Sequence, residues 1–290
     1  MNFLKISLLI AFFTQYLSAQ DKPAYAIYDS KGKEVSYSKM IRQLEESDFV
    51  FFGESHNNSI GHWMELEITK DLFEKRGKEL ILGAEMFEAD NQLAIDEYLA
   101  SYLTDKRFED ETRLWKNYTT DYKPLILFAK EKGLRMVASN VPRRYAGLVA
   151  DKGFEGLDAI TPEGKKFMVP IPFPYDSTLS CYKDMLTMQG GHGSTKMNQN
   201  FPKAQALKDA TMANFIRKNW TKGKIFLHFN GSYHTDKHQG IVWYIMQQKS
   251  DSKVLTISTV SQKDISKLEE ESKGLADYIL VVPEDMTNTY

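Results

Sequence analysis

Cysteine is almost absent from this chain of 290 residues. Cys181 stands alone, so an intramolecular disulfide is excluded. The formal net charge is −2 and no block of like charges occurs, which argues against a nucleic-acid partner. Because 42% of the residues are hydrophobic, we expect the chain to be stabilised by an apolar core.

A run of about 20 apolar residues, long enough to cross a membrane, is missing as well. The apolar stretch Ile6–Phe13 is shorter. It follows Lys5 and precedes the segment Leu17–Ala19, which ends in a small residue. This order of basic, apolar and small residues is typical of a secretory signal peptide, with an uncleaved anchor as the alternative. We therefore expect residues 1–19 to be removed and residues 20–290 to form one domain, exported to the periplasm or the outer cell surface.

Short apolar runs alternate with segments of helical periodicity along the rest of the chain. The runs that predict strands are Phe49–Phe52, Leu80–Leu82, Leu134–Val137, Lys224–Phe229, Val254–Ile257 and Tyr278–Val282. Because they lack polar alternation, both faces of each strand are expected to be buried. The pattern predicts an α/β fold with a mostly parallel sheet flanked by helices.

Three stretches depart from this rhythm. Residues 24–37 predict a hairpin around the turn residues Asp29–Lys33, followed by a helix that Ser38 caps. The stretches of about 89–123 and 145–200 contain helical and loop patterns without strands. We expect them to be helical insertions that form a lid subdomain over one edge of the sheet.

Polar segments follow four of the predicted strands directly. Because the carboxyl ends of parallel strands lie along one edge of a sheet, these segments should meet in one cleft. A charged group in this position is costly unless it is paired or functional. The side chains expected in the cleft are Glu54, His56, Glu85, Asn140, Arg143 and His234.

The two Gly-x-x-His segments, Gly53–His56 and Gly231–His234, support two kinds of chemistry. Their imidazoles, together with Glu85, can bind a divalent metal ion, or they can exchange protons with a substrate. A metal-dependent hydrolase of esters or peptides would use Glu54 to activate water. An inactive scaffold is a further alternative. The glycines indicate either positive φ or a need for space.

The remaining histidines have other expected roles. His228 lies inside an apolar run and is predicted to be a core histidine with satisfied hydrogen bonds. His62 faces either the cleft or solvent, and His238 is expected at the surface.

Aromatic and methionine side chains are frequent in the two insertions. They are Trp115, Tyr118, Tyr122, Phe173, Tyr175, Tyr182, Met185, Met188 and Met197. Such residues often belong to the core, but a flat and soft surface also suits a large planar ligand such as haem. Tyrosine, histidine and methionine all ligate haem iron. Covalent c-type attachment is excluded because no Cys-x-x-Cys-His motif exists.

Five ordered motifs resemble those of the ChaN-like haem-binding proteins, which are grouped with the Tiki, TraB and erythromycin-esterase-like proteins. The motifs are Phe52–His56, Gly83–Glu88, Asn140–Arg143, Ala204–Gln205 with Asp209 and Met212–Ala213, and Gly231–His234. The resemblance extends from about Ala24 to the last predicted strand, which is nearly the whole expected mature chain.

The resemblance implies a haem-binding protein of iron uptake, with two haems stacked at the interface of a homodimer and peripheral association with the outer membrane. It implies that a tyrosine holds the iron, and Tyr182 and Tyr118 are the candidates, with Asn140 and Arg143 as further haem-binding residues. The wider superfamily includes metal-dependent hydrolases. Their motifs correspond here to Glu54, His56, Glu85 and His234.

Overall fold

The computed structural model describes residues 22–188, 199–248 and 250–290. The expected signal peptide lies outside the described residues, as do Met197 and the side chain of Met188. In the described ranges, no helix combines the length and the apolar character that a membrane crossing requires.

Seven strands of the described chain form one sheet, in the order β1-β7-β6-β2-β5-β3-β4. They are β1 (Ala26–Asp29), β2 (Phe49–Glu54), β3 (Leu80–Glu88), β4 (Arg135–Asn140), β5 (Ile225–Gly231), β6 (Val254–Gln262) and β7 (Tyr278–Pro283). Strands β2 to β7 pair in parallel, and β1 pairs antiparallel with β7 at the edge. The mostly parallel sheet predicted from the apolar runs is confirmed.

Helices cover both faces of this sheet. In the described ranges they are α1 (Tyr37–Leu44), α2 (Ser59–Arg76), α3 (Gln92–Leu99), α4 (Asp105–Glu111), α5 (Lys123–Lys132), α6 (Arg143–Lys152), α7 (Pro162–Lys165), α8 (Ser180–Met188), α9 (Phe201–Asn219) and α10 (Ile241–Met246). Apolar residues of α1, α2 and α5 share one core cluster, and those of α9 and α10 share another.

Alternate residues of β2 show how the sheet separates these two clusters. Val50 and Phe52 belong to the cluster with α1, α2 and α5, whereas Phe49 and Phe51 belong to the cluster with α9 and α10. All four side chains are inaccessible to solvent. Because successive side chains of a strand point to opposite faces, a strand buried on both faces needs the continuous apolar run seen here.

The predicted N-terminal hairpin is confirmed as a turn with an antiparallel bridge between Tyr28 and Glu34, but the second segment forms no strand of its own. A turn does form, and the side chain of Asp29 accepts hydrogen bonds from the N–H groups of Lys31 and Lys33. However, α1 begins at Tyr37 and is capped by Ser36, not by Ser38. The partner of β1 is the C-terminal strand β7, which the local turn chemistry gives no reason to expect.

Strand β3 is longer than its apolar run predicts. It continues from Leu82 to Glu88, and all nine of its residues are buried. The pairing with β4 shifts its register between Ala84 and Glu88. A register shift of this kind re-aims side chains at the end of a strand, and it occurs in the segment that carries Glu85.

Candidate functional site

A cleft of about 760 Å³ lies at the carboxyl ends of the neighbouring strands β2, β5, β3 and β4. The six side chains expected to meet there all line it, which confirms that the topology brings them together: Glu54, His56, Glu85, Asn140, Arg143 and His234. Further lining residues come from the loop after α4 and from α9.

His56 is held by the carboxylate at the end of β2. Its Nδ1 lies 2.5 Å from Oε1 of Glu54, and the hydroxyl of Tyr122 donates to the same oxygen at 2.6 Å. Burial raises the pKa of Glu54, but the hydrogen bond with His56 and other neighbouring groups outweigh burial and lower it overall. Burial lowers the pKa of His56, and the interaction with Glu54 raises it overall. The two groups therefore form an ion pair whose imidazole reaches the cleft.

His234 lies between two carboxylates. Its Nε2 is 3.1 Å from Oε1 of Glu85, and its Nδ1 hydrogen-bonds Oδ1 of Asp209. Burial alone would lower the pKa of His234, but the two carboxylates raise it to about 10. Burial would raise the pKa of Glu85, yet His234 brings it well below its ordinary value. At neutral pH the site therefore holds a fixed imidazolium with both nitrogens protonated.

Both glycines of the Gly-x-x-His segments are required for space. A Cβ on Gly231 would lie 2.8 Å from Nε2 of His56. A Cβ on Gly53 would lie 2.9 Å from the carbonyl oxygen of Ile257 and from Cα of Ser232. Neither glycine has positive φ, so close approach explains their presence and strained backbone does not.

Cationic side chains surround the cleft. Arg143 Nε donates to Oε1 of Glu88 at 2.5 Å, and its side chain is 62% exposed. Arg113 donates to the other oxygen of Glu88 at 3.0 Å. Lys116 and Lys208 also line the cleft. The carboxylate of Glu88 is buried and fixes Arg143 at the rim.

Aromatic side chains form part of the cleft wall. The ring of Trp115 packs edge-on against His56 with a centroid distance of 4.9 Å. Tyr233 and Tyr290 line the cleft with 45% and 64% of their surface exposed. These residues come from the first insertion, from the turn after β5 and from the C-terminus, so the cleft offers exposed aromatic surface from three parts of the chain.

The two tyrosines proposed as iron ligands are not in the cleft. Tyr182 is buried, and its hydroxyl donates to Oδ2 of Asp209 at 2.8 Å. Tyr118 is buried in the core cluster with α2 and α5, and its hydroxyl has no hydrogen-bond partner. The first insertion does cover the cleft, through Leu114–Asn117, whereas none of the described residues 145–188 lines it.

The predicted metal set of His56, Glu85 and His234 is not assembled for binding an ion. Both nitrogens of His234 face carboxylates, with Nδ1 toward Asp209 and Nε2 toward Glu85. Of the described residues, the trio whose ligand atoms converge within 4.8 Å is Glu54, His62 and Glu65. The geometry of the cleft therefore gives no support to the hydrolase alternative.

His62 faces the protein interior, behind the cleft. Its Nδ1 is 3.0 Å from Glu65, and its Nε2 is 3.1 Å from the carbonyl oxygen of His56 and 3.4 Å from Asp121. Burial, and then the carboxylate of Glu54, raise the pKa of Glu65 well above its ordinary value. Sequence reasoning missed Glu65 and Asp121, although Glu65 lies one helical turn after His62 on α2.

The other two histidines of the described ranges, His228 and His238, lie where the sequence predicts them. His228 is fully buried, with Nε2 2.7 Å from Oγ of Ser139 and Nδ1 3.0 Å from Oδ1 of Asn230. Burial lowers its pKa to about 4, so it is a neutral core residue. His238 is partly exposed and pairs with Asp277.

Solved structures of similar fold support this description. The chain matches ChaN of Campylobacter jejuni, described with cofacial haem binding, at 17% identity and a TM-score of 0.64, over 89% of this chain and 96% of that one. A protein of Bacillus cereus matches at 10% identity and a TM-score of 0.50, over 84% and 90%. At these identities the likeness shows the fold alone.

A family model described as haem-binding uptake, Tiki superfamily, ChaN matches residues 40–245. No functionally curated protein matches the chain by sequence. The matched residues include β2 to β5 and all six side chains expected in the cleft. Since the match covers well over half of the chain, this protein belongs to the ChaN haem-binding uptake family of the Tiki superfamily.

Proposed function

We propose that this protein binds haem in the cleft at the carboxyl ends of β2, β5, β3 and β4, and that it serves haem or iron uptake. The observation that carries the proposal is the pairing of an exposed aromatic wall with a cationic rim in a cleft of about 760 Å³. Haem has a flat apolar macrocycle and two propionates, so it needs these two kinds of surface side by side. The family to which the chain belongs supports the same ligand.

Tyr233 is the side chain best placed to ligate the iron. It is exposed in the cleft, and it belongs to the turn Ser232–His234 that follows β5. The next residue, His234, is fixed by Asp209 and Glu85, so the phenol stands on a rigid support. Tyr290 is also exposed in the cleft, but among the described residues no fixed ion pair adjoins it in the way that His234 adjoins Tyr233. Phenolate oxygen is an established haem ligand.

The propionates would bind at the cationic rim. Arg143 uses Nε for Glu88, which leaves the other guanidinium N–H groups for a bidentate contact with a carboxylate. Lys116 and Lys208 add positive charge on other parts of the cleft. The bound chromophore would then lie against Trp115, with its carboxylates toward these cations.

Export and dimerisation form part of the proposal. The composition of residues 1–19 supports export to the periplasm or the outer cell surface. An open cleft with exposed Tyr233 and Tyr290 supports a homodimer in which two copies cover a pair of stacked haems. Peripheral association with the outer membrane would place the protein beside an uptake system.

A haemin titration followed by absorbance tests the proposal. We expect a saturable shift of the Soret band, and we expect Tyr233→Phe to change the spectrum and weaken binding because the iron loses its anionic oxygen. Tyr182→Phe and Tyr118→Phe remove hydroxyls outside the cleft and serve as matched controls with unchanged spectra. Light scattering with and without haemin measures dimerisation. A flat titration of the wild type would refute the proposal.

A further inference from the structure

A second polar centre lies behind the cleft and shares one residue, Glu54, with it. It consists of Glu54, His62 and Glu65, which are 2%, 6% and 0% exposed. Their ligand atoms converge within 4.8 Å. His62 and Glu65 do not line the cleft, whereas Glu54 does.

The hydrogen bonds of the trio leave two carboxylate oxygens without partners. Oε1 of Glu54 accepts from Tyr122 and His56, but its Oε2 has no hydrogen-bond partner. Oε1 of Glu65 has none either. A buried carboxylate oxygen without a donor is costly. Without an ion, a proton shared between Glu65 and Glu54 can serve these two oxygens. A cation bound between them would replace that proton.

The orientation of His62 is that of a metal ligand. Its Nε2 lies 3.1 Å from the backbone carbonyl of His56 and 3.4 Å from Asp121, and donation to these acceptors makes Nδ1 the nitrogen with the lone pair. That nitrogen lies 3.0 Å from Oε2 of Glu65 and 3.7 Å from Oε2 of Glu54. Metal-binding histidines usually donate their other N–H to a carbonyl or a carboxylate in this way.

The distances also suit a small divalent cation. In a tetrahedral zinc site with bonds of about 2.0–2.2 Å, ligand atoms stand roughly 3.3–3.6 Å apart. The separations of 3.0 and 3.7 Å around Nδ1 of His62 lie on either side of this range. Asn117 holds the two acceptors that Nε2 of His62 faces. Its amide donates to the carbonyl oxygen of His56 at 3.0 Å and to Asp121 at 2.6 Å.

We propose that Glu54, His62 and Glu65 form a buried site for a divalent cation such as Zn²⁺, behind the haem cleft and joined to it through Glu54. One nitrogen and two carboxylate oxygens are a ligand set that zinc accepts, with a fourth position for water. The ion would neutralise the two orphaned oxygens and fix the end of β2 against α2. It would thereby hold Glu54, and through it His56, in position at the cleft.

The test uses the haem-free protein, incubated with ZnCl₂, passed through gel filtration and analysed for metal content. We expect one zinc ion per chain. Glu65→Gln and His62→Asn each remove a group that would hold the ion, so we expect each to weaken zinc binding by about 10-fold or more. His238→Ala, which removes a partly exposed histidine paired with Asp277, is the matched control and should keep the zinc.

Two further measurements keep the proposal falsifiable if a variant does not fold. Cobalt(II) added to the wild type should give the visible d–d absorption of a four-coordinate site, and zinc should abolish it. The absence of both zinc and cobalt binding in the wild type would overturn the proposal. Loss of zinc in Glu85→Gln with full retention in Glu65→Gln would also overturn it, because the ion would then lie in the cleft. Haemin binding is measured separately and does not enter either outcome.

Discussion

Nε2 of His234 lies 3.1 Å from Oε1 of Glu85, although the two residues are 149 positions apart in the chain. Each residue is 4% exposed. The second oxygen of Glu85 accepts the N–H of Gly231 at 2.9 Å, so one carboxylate joins the ends of β3 and β5. The floor of the cleft is therefore fixed by a buried ion pair, and its rigidity depends on the charge of His234.

Asp209→Asn should destabilise the protein because it removes one of the two carboxylates that balance His234. Breaking a buried ion pair costs about 3–5 kcal/mol, and we expect about 3 kcal/mol because Glu85 still faces the imidazole. Tyr182→Phe removes only the hydroxyl that donates to Asp209 and should cost about 0.5–1.5 kcal/mol. Urea unfolding of both variants measures the difference. If Asp209→Asn and Tyr182→Phe lower the free energy of unfolding equally, the charge of Asp209 does not stabilise His234.

The same ion pair predicts how stability changes with pH. The pKa of His234 is raised from an ordinary value of 6.5 to about 10 in the folded protein. Its stabilising contribution is therefore complete below pH 6.5 and is lost as the pH rises through about 10. We expect the free energy of unfolding to fall across this range in the wild type, and to fall less steeply in Asp209→Asn. If the free energy of unfolding falls equally steeply with pH in the two proteins, Asp209 does not raise the pKa of His234.

Gly231→Ala should disturb the cleft because the new methyl group would meet Nε2 of His56 at 2.8 Å. Overpacking of this kind costs about 1–3 kcal/mol, and displacement of His56 should weaken haemin binding. Gly147→Ala is the control, since Gly147 lies exposed in α6 with no atom within 4 Å of the added Cβ. There we expect a gain of about 0.4–1 kcal/mol and unchanged haemin binding. Calorimetry and the haemin titration separate the two variants.

The sequence predicted the strands and the place of the cleft well, because both follow from short-range pattern and from sheet topology. Apolar runs without alternation marked β2 to β7, and polar residues directly after four of them marked Glu54, Glu85 and Asn140 as cleft residues. A parallel sheet places all of these strand ends at one edge. No contact between side chains had to be known.

The partners of those residues were harder to predict because they depend on which helix face turns inward. Asp209 stands on α9 and Tyr122 on the turn before α5, and nothing in their local periodicity links them to His234 or to Glu54. For the same reason the aromatic content of the second insertion was misleading. Tyr182 resembles a ligand in the sequence, but packing directs it to Asp209 instead.

Arg143→Gln should weaken haemin binding by about 10-fold, which corresponds to the loss of a charge-assisted hydrogen bond of about 1.5 kcal/mol. The neighbouring Arg144 is the matched control. It has a similar exposure and pairs with Asp90, but it does not line the cleft. Arg144→Gln therefore removes the same charge from the same helix without touching the proposed propionate site, and its haemin affinity should equal that of the wild type.

Haemin dimethyl ester distinguishes a propionate contact from a general effect on the cleft. The ester lacks both carboxylates, so its affinity should be the same for the wild type and for Arg143→Gln. If the variant loses affinity equally for haemin and for the ester, Arg143 acts through Glu88 on the shape of the rim. If only haemin is affected, and if the difference shrinks at high salt as expected for an exposed charge pair, Arg143 binds a propionate directly.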